Sequence, residues 1–95
     1  MNIGQSIRLL RIDKAKERQN VFSINIGITQ SYLSQIENGQ KKASTELLEK
    51  IANYLQIPLP ILFWFGVEEK DIRPHLTGHF RFIKPSIDKM LESII

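Results

Sequence analysis

The stretch from Gln19 to Asn38 constrains this chain more tightly than any other part of it. A short helix is expected from Gln19 to about Asn25, with Val21, Phe22 and Ile26 turned inward. Gly27 stops it, because glycine alone enters the left-handed conformation past a helix end without strain on a β-carbon. Thr29 then suits the N-cap of another helix, Gln30 to about Glu37, which Asn38-Gly39 ends. Ser23 is small where two such helices would approach most closely, and Phe22, Ile26, Ile28, Leu33 and Ile36 are apolar where the pair must pack on the rest. The pattern predicts two short helices joined by a tight turn and steeply crossed.

The second of these helices carries an unusual outer face. At about 100° per residue, Tyr32, Leu33 and Ile36 cluster on one side while Gln30, Ser31, Ser34 and Gln35 cluster on the other. A merely solvated helix more often exposes Glu and Lys. An uncharged polar face suits entry into a groove, where amides and hydroxyls exchange hydrogen bonds with base edges and glutamine pairs with adenine. Arg8, Arg11, Lys14, Lys16 and Arg18 precede the segment and Lys41 and Lys42 follow it, flanking the site with cations as phosphate contact requires. The net charge of +3 says little beside that distribution.

Around this segment the chain reads as helical. Ile3, Ile7 and Leu10 place an amphipathic helix over about Asn2 to Lys14, ended by the charged run Asp13 to Arg18. Ser44 caps a helix whose stripe is Leu47, Leu48, Ile51, Ala52 and Leu55, and Pro60 fits the first turn of a short helix bearing Ile61, Leu62 and Phe63. Beyond Gly66, Pro74, Gly78 and Pro85 punctuate short pieces. Glu68 to Arg73 reads as a helical turn or two, Phe80 and Phe82 alternate as a short strand would, and Pro85 suits the start of a final helix with Ile87, Met90, Leu91, Ile94 and Ile95 inward. The fold class expected is all-α, with residues 1–66 as one domain and 67–95 as an extension that dimerises or caps the core.

Composition closes several other routes. The chain has 95 residues, 42% of them hydrophobic, which allows one modest core. It has no cysteine, which removes disulfide frameworks, cysteine-ligated zinc and thiol catalysis, and suggests a cytosolic protein. The start, Met1-Asn2-Ile3-Gly4-Gln5, lacks the pattern of a signal peptide. No apolar run approaches the ~18 residues of a membrane span. A glycine-rich phosphate loop, paired carboxylates with a neighbouring base, and a cysteine nucleophile are all missing, so neither an enzyme nor a cofactor is expected.

A family resemblance rests on Ile3 to Arg11, on Gln19, on Gly27 to Gly39, on Ser44 to Ala52 and on Leu62-Phe63. The chain resembles the phage-repressor helix-turn-helix proteins, the Cro and lambda-repressor or XRE type, over about two-thirds of its length. The resemblance implies a five-helix lambda-repressor-like DNA-binding bundle, followed here by an extension ending in a helix. It also implies that Gln19 and Asn38 clamp phosphates at the ends of the motif, that Gln30, Ser31, Ser34 and Gln35 face bases, and that Arg11 pairs with Glu37 in a buried bridge. Thr29, Lys41 and Lys42 join the phosphate-contacting set, while Ser23 and Gly27 serve the motif's structure. Two departures stand out: the interval from Arg11 to Gln19 is one residue longer than the family's usual spacing, and Phe22-Ser23 stands where the family prefers Leu-Ala.

Three further features carry a bland reading beside a sharp one. His75 and His79 sit four apart, as two metal ligands on a helix would, but no carboxylate or cysteine completes a set, so two surface histidines are expected and no metal. Phe63-Trp64-Phe65 can be read as a stacking platform. Packing is the commoner explanation, with Phe63 in the core and Trp64 and Phe65 meeting the extension or a second subunit. Ile94-Ile95 would be an aggregation liability in water, which dimerisation or packing within the chain relieves. Together these readings predict a homodimeric regulator, a repressor, bound to double-stranded DNA at a near-palindromic operator. The alternative is a protein-interaction module, an antitoxin-like chain whose C-terminal third wraps a toxin-like partner.

Overall fold

A computed structural model describes residues 1–95, and six α-helices account for most of them. They are α1 (Ile3–Leu10), α2 (Gln19–Ile26), α3 (Gln30–Glu37), α4 (Thr45–Leu55), α5 (Leu59–Gly66) and α6 (Thr77–Ile94). The fold is all-α, as expected. No helix is long and apolar enough to cross a membrane.

Local chemistry sets most boundaries. Asn2, Thr29 and Ser44 each accept a first-turn amide with the side chain, from Gln5, Tyr32 and Leu47 respectively. Gly27 closes α2 in the left-handed conformation, with φ of 76°. Pro60 sits in the first turn of α5, where its missing N–H leaves no intrahelical bond unmade.

The first helix departs from expectation in an informative way. Regular α-helix ends at Leu10, and residues Arg11–Ala15 form a π-helical turn that closes at Lys16 in the left-handed region. A π turn takes one more residue per hydrogen-bonded ring than an α turn. It accommodates the extra residue before Gln19 without rotating Arg11 away from its partner on α3.

Core residues come from all of the first five helices: Ile7 and Leu10, Phe22 and Ile26, Leu33 and Ile36, Leu48, Ile51, Ala52 and Leu55, then Leu62 and Phe65. Val21 was expected inside and is instead 43% exposed, because Phe22 and Ile26, four apart, already define the inner stripe of α2. On α5 the structure also corrects the aromatic assignment. Phe65 belongs to the core, and Phe63 is only half-buried against it. Ser6 is buried with its hydroxyl donating to the Leu62 carbonyl, which pins α1 to α5.

Gly4 permits a close approach of α1 to α3. A β-carbon there would lie 2.1 Å from the Ile36 carbonyl oxygen and 2.9 Å from that of Glu37, both backbone atoms of α3. Gly4→Ala is therefore expected to push α1 off α3 and to destabilise the fold by about 1–3 kcal/mol or more. Urea unfolding checks this; a variant as stable as the parent would contradict the close packing.

The extension differs most from the sequence reading. Glu69–Asp71 and Pro74–Leu76 are 3₁₀ turns, and Thr77–Ile94 is one helix with Pro85 inside it. Neither the strand at Phe80–Phe82 nor a helix beginning at Pro85 forms. Pro85 lies on an exposed face, so the Arg81 carbonyl it leaves without an intrahelical donor can bond water. Anchors on both sides hold the helix together. Trp64 Nε1 donates to Asp88 at 2.7 Å, Lys84 lies 4.9 Å above the Trp64 ring, and Leu91 and Ile95 pack on the core. Trp64 thus meets the extension, as the sequence suggested.

Candidate nucleic-acid interface

Helices α2 and α3 pack on one another, and Ser23 on α2 is buried, 1% exposed, with its hydroxyl donating to the Asn20 carbonyl at 3.0 Å. Between them, Gly27 reverses the chain, and the Ile28 amide returns to the Ser23 carbonyl at 2.9 Å. Leu33 and Ile36 anchor α3 from beneath.

Gln30, Ser31, Thr29 and Asn38 are exposed on α3 and its ends, while Ser34 and Gln35 are half-buried. These residues lie on the side of α3 away from Leu33 and Ile36, so the uncharged polar face read from the sequence is a contiguous surface. After α3, the Gln40 amide bonds the Gln35 carbonyl at 2.8 Å and that of Lys41 bonds the same oxygen at 3.2 Å. The loop is thereby folded back against the helix end. Lys41 extends over Tyr32, 5.9 Å from the ring centroid, and Lys42 is exposed beside it.

A buried ionic network supports this surface. Arg11 Nε lies 2.8 Å from Glu37 Oε2 and Arg11 Nη2 lies 3.0 Å from Oε1, a bidentate pair that is nearly excluded from water. Arg11 Nη1 donates to the Glu17 carbonyl, fixing the segment that leads into α2. Gln19 Nε2 also donates to Glu37 Oε1, at 3.0 Å. Gln19 thus begins α2 with its amide nitrogen tied to the bridge rather than projecting free, which sequence reasoning did not foresee.

A second network lies behind α2. The Tyr54 hydroxyl on α4 donates to the Glu17 carboxylate and accepts from Asn25 at 2.8 Å. The carboxylate of Glu17 raises the Tyr54 hydroxyl above its ordinary pKa. Tyr54 also meets Phe22 edge to face, 5.5 Å between centroids. Neither Tyr54 nor Glu17 carried a periodic signal, because their partnership spans 37 positions of sequence.

His75 and His79 are both exposed, in the second 3₁₀ turn and on α6 respectively, and no group of three or more ligand-type side chains gathers anywhere in the chain.

The geometry agrees with the comparisons to known proteins. A helix-turn-helix family model matches residues 19–62, from the start of α2 into α5. The control protein C.MunI of a Mycoplasma species is 36% identical over 63 residues, covering 66% of this chain and 85% of that protein. The chain belongs to the helix-turn-helix family. Its similarity extends to the control protein C.BamHI of Bacillus amyloliquefaciens, 28% identical over 74 residues, with 78% of this chain and 79% of that one aligned. The transcriptional regulator ClgR of Mycobacterium tuberculosis is 35% identical over 60 residues, 63% of this chain and 53% of ClgR. No solved structure gives a significant match. With family membership comes the coarse function, DNA binding in transcription regulation.

Proposed function

We propose that this chain is a repressor that binds a near-palindromic operator as a homodimer, with α3 of each copy in the major groove. The observation that carries the reading is the face of α3: Gln30, Ser31, Ser34 and Gln35 offer hydrogen-bonding groups without charge on a helix whose other side is locked into the core. Major-groove edges are read by such groups. Gln30 and Ser31 make the deepest contacts, being the most exposed and nearest the helix N-terminus.

Phosphate contact falls to residues around that face. Lys41 and Lys42 supply charge at one end and Asn38 a side-chain amide. At the other end α2 has no side-chain cap, so its first-turn amides remain available to an anion alongside the Gln19 Nε2 hydrogen that Glu37 does not take, and Thr29 opens α3. One reading helix spans only about half a turn of duplex, and two placed ~34 Å apart supply specificity on a symmetric site. Repression requires nothing beyond occupancy of that site.

The test is fluorescence anisotropy on an operator selected from random duplexes. Gln30→Ala is expected to weaken binding by about 1–3 kcal/mol and to relax preference at one base position. Lys41→Ala should weaken all sequences alike and reduce the salt slope by about one. Two variants that bind as the parent does would show that the reading face lies elsewhere.

A further inference from the structure

Helix α6 is the longest in the chain at 18 residues, yet none of its residues is buried. It carries apolar side chains over two adjoining arcs. Phe80, Ile87, Leu91 and Ile95 are half-buried toward the bundle, whereas Phe82 is 84% exposed, Ile83 45%, Met90 61% and Ile94 71%. At about 100° per residue, these four exposed positions fall within an arc of about 120°, shared only with His79, Ser86 and Ser93. Arg81, Lys84, Asp88, Lys89 and Glu92 all lie outside it. An apolar arc wider than the part the bundle covers leaves a flank for a partner to cover.

Docking against the bundle fixes which part of α6 stays outside. Rolling α6 inward to hide Phe82 would draw Asp88 from Trp64 Nε1 and Lys84 from the indole ring, and would turn Leu91 off the core. We infer that the outer face of α6 is the surface on which two copies of this chain pair. An antiparallel pair about a twofold axis near Ser86 and Ile87 sets Ile83 against Met90 of the partner subunit, apolar on apolar in both halves. Because the arc is free of charge, it faces its own copy without like-charge repulsion. An α6 of ~27 Å in length, paired along this arc, withdraws on the order of 1,000 Å² from water, the lower bound of a specific interface. The choice of a second copy, rather than another apolar partner, rests on the proposed operator reading, which requires two heads.

The experiment is sedimentation velocity on the full chain beside a Phe82→Glu, Met90→Glu double variant, with binding to a single half-site and to the complete operator. The parent should sediment as a dimer. The variant should be monomeric with unchanged helical circular dichroism and unchanged fluorescence of Trp64, the sole tryptophan, showing α6 still docked. On the half-site the two should bind alike, and on the complete operator the variant should lose about a hundredfold or more. A variant that remains dimeric, a parent that is monomeric both free and on DNA, or a parent that pairs stoichiometrically with a different protein instead of itself would each overturn the inference. If the parent dimer is broken by the variant but neither binds any selected DNA, the interface stands and the operator reading falls.

Discussion

Glu37→Ala is expected to destabilise the fold by about 3–5 kcal/mol, because it strands the Arg11 guanidinium in a site nearly closed to water. Both charge-assisted bonds to Arg11 disappear together, and so does the Gln19 contact, leaving Arg11 with only the Glu17 carbonyl. Most of the loss belongs to the uncompensated charge and not to the pair's own net worth. The double variant Arg11→Met with Glu37→Leu should therefore recover a large part of it, since both charges leave at once. Urea unfolding of the three variants measures this directly. A Glu37→Ala protein as stable as the parent would show that the bridge does not hold the π turn after α1 to α3.

Phe22→Ala should cost a similar amount, about 3–5 kcal/mol, through a cavity between α2 and α4. The ring is fully buried and packs edge-on against Tyr54. Phe22→Leu, the residue type that similar proteins prefer here, should cost less than about 1.5 kcal/mol, because volume is nearly conserved. The same unfolding experiment separates the two, and equal losses for leucine and alanine would mean that the ring is held by something other than packing volume.

Legibility in the sequence followed the range of the forces involved. Gly27, Thr29 and Ser44 act on amides within a few residues of themselves, so the turn and the starts of α3 and α4 could be read locally. Leu33 and Ile36 were readable because helical period alone fixes their side. Val21 was not: two inward stripes fit a segment as short as α2, and only the packed bundle selects Phe22 with Ile26. The π turn leaves no periodic trace, and its sole sign was an interval one residue too long.

The extension was misread for a different reason. Proline weighs heavily in local reasoning, and Pro85 argued for two elements where tertiary anchors on either side make one. The five apolar residues assigned to a single side of the last helix divide between two adjoining arcs, Ile87, Leu91 and Ile95 half-buried and Met90 and Ile94 exposed on the flank. Of the candidate interface, the exposed polar face of α3 was legible. The anchoring of Gln19 by Glu37 was not, since it joins residues 18 apart through a buried carboxylate.

With α3 in the major groove, guanine N7, which faces that groove, reports on its position. Dimethyl sulfate footprinting of the parent on its selected operator should show N7 protection in two patches about 10 base pairs apart. Gln30→Ala should lose protection at one guanine in each patch while the other guanines stay protected. Uniform reactivity across the bound site, with affinity unchanged, would place α3 outside the major groove.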